Sequence, residues 1–131
     1  MLEFHHVGTL VEDIDSAMST YGTIFGKSNV SGKRFIKSQN VTVCFVKTGK
    51  NTFLELIQPG GEDSVVYKLL KKGITYYHIA YVVDDYNAMK AELTERNFKA
   101  LDEFTSEAFK DKRCIFMFSP EGHLIELIEK S

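Results

Sequence analysis

The chain repeats itself. Shifted by 72 residues, "HVGTLVEDIDSAM" (6–18) falls on "HIAYVVDDYNAMK" (78–90) without a gap, so that His6 meets His78, Val7 meets Ile79, Gly8 meets Ala80 and Asp13 meets Asp85. Shifted by 71, "FLELI" (53–57) falls on "LIELI" (124–128), and Glu55 meets Glu126. Such self-similarity restricts the fold to two copies of one supersecondary unit. It also settles which histidine of "FHHVG" matters. His6 is in register with His78, whereas His5 is in register with Tyr77 and points to the other face of its strand.

Each half reads the same way. "EFHHVGTLV" is a strand; Asp13 then caps a helix whose apolar positions are Ile14, Ala17, Met18, Tyr21, Ile24 and Phe25, and Gly26 stops it. Three strands follow, near "GKRFIKS", "VTVCFVKT" and "NTFLELIQ", the last two joined at Gly49-Lys50. In "PGGEDSVVYKLLKKG" the Pro and Gly mark a turn, Ser64 caps a short helix and Gly73 ends it. The second half gives the strand "TYYHIAYVV", then a helix from Asp85 that turns Tyr86, Met89 and Leu93 inward. A weak strand near "KALD" and the hairpin "RCIFMFS" to "HLIELIE", with Pro120-Glu121-Gly122 at its turn, complete it. The expected fold is α+β, two βαβββ modules that together form a curved mixed sheet. It is one domain over 1–131, with module 1 at 1–58, a linker helix at 59–73 and module 2 at 74–131.

Four residues break the apolar pattern. Residues two apart in a strand share a face. His6 therefore lies with Gly8 and Leu10, His78 with Ala80 and Val82, Glu55 with Phe53 and Ile57, and Glu126 with Leu124 and Ile128. The small neighbour of each histidine leaves room beside it. Buried imidazoles and carboxylates are costly unless partnered. Two matched His/Glu pairs point to one shared cause, a divalent metal held by His6, Glu55, His78 and Glu126. Imidazole with carboxylate suits the middle divalents, Ni, Zn, Co or Mn. The bland alternative has each glutamate facing outward on an edge strand against a lysine. His123 reads as a turn residue, His5 as facing a helix or a dimer partner, and "KDKR" (110–113) as a solvated loop.

Composition removes other classes. Of 131 residues 44% are apolar and 26% charged, and the net charge is −2, without a basic run or an interleaved basic and aromatic patch, which excludes a nucleic-acid binder. No apolar stretch has membrane-spanning length, and no apolar signal region follows Met1. Two cysteines, Cys44 and Cys114, are too few for a disulfide framework and read as small buried hydrophobes in a reducing, cytoplasmic compartment.

In "HHVGTLVEDIDSAM", "FLELIQPGGEDS", "YYHIAYVVDD" and "GHLIELIEK" the chain resembles the vicinal oxygen chelate superfamily over its whole length, in the glyoxalase I and methylmalonyl-CoA epimerase branch. The resemblance implies paired βαβββ modules around one metal, with the ligands on His6, Glu55, His78 and Glu126. It implies a metal-dependent proton-transfer enzyme, lactoylglutathione lyase-type isomerisation through an enediolate being the first reading. An acyl-CoA epimerase and a non-enzymatic small-molecule-binding or resistance protein are the alternatives. Epimerases of this kind carry a further, non-ligand glutamate as base; here its place falls near Ser38 and Gln39, neither of them acidic. The base is then expected to be Glu126, with Glu55 as its partner. The substrate is expected to be a thiohemiacetal or an acyl thioester. Its anionic group would meet Arg34, Lys110 or Arg113 in segments that flank the site, including the loop 104–113. The linker at 59–73 favours a site within one chain of a homodimer.

Overall fold

The structure, a computed structural model, describes residues 2–130. Strand β1 (Leu2–Leu10) leads to helix α1 (Ile14–Phe25). Asp13 caps α1, its carboxylate accepting from the amides of Asp15 and Ser16. Gly26 ends it at φ 97°, where a side chain would be strained, and its amide donates to the Gly22 carbonyl. Strands β2 (Arg34–Ile36), β3 (Val41–Lys47) and β4 (Phe53–Pro59) and the short helix α2 (Tyr67–Lys71) follow. The second round is β5 (Tyr76–Val83), α3 (Tyr86–Glu95), β6 (Lys99–Ser106), β7 (Lys112–Phe118) and β8 (Leu124–Glu129). Asp85 caps α3 by accepting from the Ala88 amide. The strands form one mixed sheet in the order β2-β3-β4-β1-β5-β8-β7-β6, so each βαβββ round supplies four consecutive strands.

The chain divides into two compact units, one of His6–Tyr77, the other of His78 onward with the residues before His6. In the first, α1 packs Ile14, Ala17, Met18, Tyr21 and Phe25 on Cys44, Val46 and Leu56. Leu56 is wholly buried, and truncating such a leucine to alanine costs about 2–5 kcal/mol. Ile24 departs from the expected stripe and is 63% exposed. It precedes Phe25 and so lies roughly 100° around the helix from it, off the packed face. In the second unit α3 sets Tyr86 and Leu93, with Met89, against Ile115, Met117 and Leu127. Helix-facing and opposite-facing residues alternate along the strands in both units.

Three local expectations are corrected. The Ser64 side chain does not cap α2: the N-cap is Val66, and the Ser64 carbonyl, not its hydroxyl, accepts from the Tyr67 amide. The strand near "KALD" extends to Ser106, with a bulge between Ala100 and Glu103. Segment 104–113 is accordingly no open loop. Phe104–Ser106 belong to β6, Glu107–Phe109 form a 3-10 turn, and Lys112 and Arg113 begin β7. His5, half-buried on β1, meets the Phe109 ring of the 3-10 turn edge-on at 5.4 Å.

Close approach explains one glycine. The Gly60 amide donates to the Asn40 carbonyl at 2.9 Å, and a Cβ at Gly60 would come within 2.8 Å of that carbonyl oxygen. The turn between β2 and β3, where Asn40 has φ 50°, is thereby tied to the segment leaving β4.

Candidate metal centre

Each unit carries a buried histidine–glutamate pair on the sheet face away from its helix. In the first, His6 Nε2 and Glu55 Oε1 are 3.1 Å apart, His6 being fully buried and Glu55 8% exposed. In the second, His78 Nε2 and Glu126 Oε1 are 3.2 Å apart, at 2% and 4% exposure. The strands arrange this. In the parallel β1–β4 pair Gly8 is the register partner of Glu55, and in the parallel β5–β8 pair Ala80 is the partner of Glu126. The histidine two residues earlier on its strand shares that face, and the small residue leaves the carboxylate room to lean toward it. Neither glutamate faces outward on an edge, because β4 is paired with β1 and β3, and β8 with β5 and β7.

The match extends to two further residues that residue type alone does not single out. Phe45 is the register partner of Glu55, and its ring meets His6 edge-on at 5.3 Å. Phe116 is the register partner of Glu126 and meets His78 at 5.1 Å. Phe45 and Phe116 are themselves a shift of 71 apart, the shift that relates the glutamates. That periodicity was the available signal, hidden inside the ordinary strand runs "CFV" and "IFM".

An imidazole lone pair and a carboxylate oxygen do not face one another at such distances without a cation, proton or metal, between them. Two ligands each ~2.1 Å from one metal at a right angle lie ~3.0 Å apart, close to both observed separations. His6, Glu55, His78 and Glu126, all buried, form the one group of donors among the described residues that could hold a metal ion. On the His6 face of β1, β3 and β4, Glu55 is the only carboxylate; on the His78 face of β5, β7 and β8, Glu126 is the only one. Ser38 and Gln39 lie in the turn between β2 and β3 and bring no acid.

Of the cations expected to meet an anion, Arg113 is placed elsewhere. Alternation puts it on the helix side of β7. There its guanidinium donates twice to the Glu129 carboxylate, at 3.2 and 2.7 Å, and once to Asn87, and its backbone amide donates to the same carboxylate at 3.4 Å. Its guanidinium lies 4.5 Å over the Tyr86 ring. Those hydrogen bonds hold the Glu129 carboxyl below the usual carboxylate range. The Tyr86 hydroxyl donates to Glu103 at 2.7 Å, and burial, reinforced by that carboxylate, pushes the phenol far above its ordinary value. Arg34, paired across from Val43, is on the His6 side of its sheet, and Lys110 is exposed in the turn before β7. Cys44 and Cys114 are buried, as expected, and form no disulfide.

Residues 5–129 match the family model of the Glyoxalase/Bleomycin resistance protein/Dioxygenase superfamily. The chain is 32% identical over 127 residues to a human protein named methylmalonyl-CoA epimerase, mitochondrial, covering 94% of this chain and 71% of that one. It is 29% identical to an ethylmalonyl-CoA/methylmalonyl-CoA epimerase of Cereibacter sphaeroides, covering 94% of each. Among solved structures, a variant of Streptomyces coelicolor methylmalonyl-CoA epimerase in complex with 2-nitronate-propionyl-CoA superposes with a TM-score of 0.84 at 26% identity, covering all of this chain and 96% of that one.

Proposed function

The chain belongs to the Glyoxalase/Bleomycin resistance protein/Dioxygenase superfamily, and from that premise we propose that it is a divalent-metal-dependent epimerase of an acyl-coenzyme A thioester such as methylmalonyl-CoA. The observation that carries this reading is the pair of buried His–Glu couples at repeat-equivalent positions, His6–Glu55 and His78–Glu126. The relatives named as epimerases favour it over the lactoylglutathione lyase-type isomerisation, which uses the same kind of proton step.

His6, Glu55, His78 and Glu126 would hold the ion, with Ni, Zn, Co or Mn suiting the donor set. A bound divalent ion supplies a Lewis acid for the thioester carbonyl oxygen and so acidifies the neighbouring C–H. The chain's own part is the proton. With Glu55 and Glu126 the only carboxylates on their faces, one takes the proton from one side of the carbon and the other returns one to the opposite side. That exchange of sides is what inversion at a carbon requires. Glu126 is assigned as the acceptor and Glu55 as its counterpart. Position near the chain end does not set Glu126 apart, since β8 is paired on both edges as β4 is. Burial keeps water from competing, and Phe45 and Phe116 fix the imidazoles that orient the carboxylates.

The homodimer and the cytoplasmic location expected from the sequence belong to the same proposal. Exposed Leu2, Phe4 and Tyr76 offer apolar surface for the first, and buried cysteines outside any disulfide accord with the second. No helix among the described residues is long and apolar enough to cross a membrane.

Deuterium uptake at the α-carbon of methylmalonyl-CoA in heavy water tests the reading. Wild type exchanges, and Glu126→Gln slows exchange by roughly 100-fold or more while keeping its metal through the amide oxygen. Wild-type exchange in both Glu126→Gln and Glu55→Gln removes the carboxylates as bases.

A further inference from the structure

The second unit has a cavity that the metal donors do not use. Val82 and Ile128 are register partners one pleat beyond Ala80 and Glu126. They floor, with Phe109, a cavity of about 280 Å³ whose rim carries Lys110, Lys112 and Lys130. A whole small-molecule ligand needs roughly 300–1,000 Å³, so this volume suits one end of a longer ligand.

The charges at the rim are unequal in availability. Lys130 Nζ lies 3.3 Å from the Asp84 carboxylate. Glu129 also borders the cavity, but its carboxylate is held by Arg113. Lys110 and Lys112 enter no ion pair among the described residues, which leaves two ammonium groups for an outside anion. Lys110 is also held at φ 54° and Asp111 at φ 60°, two consecutive left-handed residues without a glycine. The Asp111 amide donates to the Ser106 carbonyl and closes this turn. Glycine would relieve the strain at 110; lysine instead places a charge at the rim.

Spacing says what reaches it. From Phe116, which adjoins His78, to Lys112 is four residues along β7, a span of ~13 Å, and Lys130 follows the last residue of β8, four residues beyond Glu126. A small free acid at Glu126 does not bridge that distance across an apolar floor. A cavity of the first unit, past the end of β4, is about 220 Å³ and is lined by one cation, Lys71, and one acid, Glu12, with no such surplus of cations.

We propose that Lys110 and Lys112 bind the phosphate of a phosphopantetheine thioester, as in an acyl-coenzyme A, whose arm runs over Val82, Phe109 and Ile128 and whose acyl end lies at Glu126. The inference rests on the acyl-thioester reading of the site and names the groups that select for its carrier.

Equilibrium titration of the full, metal-loaded chain with coenzyme A and with pantetheine tests it, since neither probe turns over. Wild type binds coenzyme A about tenfold more tightly than pantetheine, and Lys110→Ala/Lys112→Ala abolishes that advantage without loss of metal, two rim contacts being worth about that much. Lys27→Ala, which removes a charge elsewhere, leaves the advantage intact. Equal binding of the two probes by wild type overturns the proposal, as does an undiminished advantage in the double variant. Lysine-dependent binding without α-proton exchange supports this subsite and contradicts the epimerase reading. Exchange without lysine dependence does the reverse.

Discussion

Ala80 lies directly across from Glu126 in the parallel pairing of β5 with β8, and it is wholly buried. The missing side-chain bulk at Ala80 is what lets the carboxylate reach His78 Nε2 at 3.2 Å. Ala80→Leu should overpack this face at a cost of about 1–3 kcal/mol and push Glu126 off the histidine. The expected outcome is a folded protein, by circular dichroism, that binds metal at least tenfold more weakly. Unchanged affinity in a folded Ala80→Leu would show that the small residue is not needed.

The Tyr86–Glu103 hydrogen bond, 2.7 Å long, anchors the bulged edge strand β6 to α3. Tyr86→Phe keeps the ring on Ile115 and Met117 and loses only the donor. It should lower unfolding free energy by about 1 kcal/mol in urea titration while leaving α-proton exchange at the wild-type rate. A loss of exchange would tie the helix face of β7 to the chemistry, against the alternation that separates them.

Much of this was legible in the sequence, and the failures have local causes. Asp13 and Asp85 announced their helices because a short acid before an apolar stripe does one thing well, accept from the first free amides. His6 and His78 were legible through the repeat, not through either strand alone. β6 was under-read because it is an edge strand with seven of its eight residues at least partly exposed. Without a covered face there is no alternation to see, and its bulge breaks the period. Ser64 looked like a cap from residue type, but the short helix starts after Val66. Arg113 looked like solvent in "KDKR"; only the pairing of β7 shows that it turns toward Glu129 and Tyr86.

The Arg113–Glu129 pair gives a pH signature. The Glu129 carboxyl is held below its ordinary value in the folded chain. A carboxylate so depressed adds stability that is fully present above its unfolded pKa and is lost as pH falls through the folded one. Acid unfolding should therefore show a small loss from this pair below about pH 4, absent in Glu129→Gln and weakened by salt. Arg113→Ala should show the same acid behaviour as Glu129→Gln and keep the affinity for coenzyme A. Weaker coenzyme A binding in Arg113→Ala would return that guanidinium to the ligand side.

The central claim is that His6, Glu55, His78 and Glu126 share one ion, and metal content measures it most directly. Protein purified without added metal, then equilibrated with limiting Co or Ni and freed of excess, should carry one ion per chain by elemental analysis. His78→Ala and His6→Ala should each lose most of it, because the ion loses a ligand from one pair in either case. Full occupancy at unchanged affinity in His78→Ala, or two ions per chain in wild type, would contradict a single shared centre.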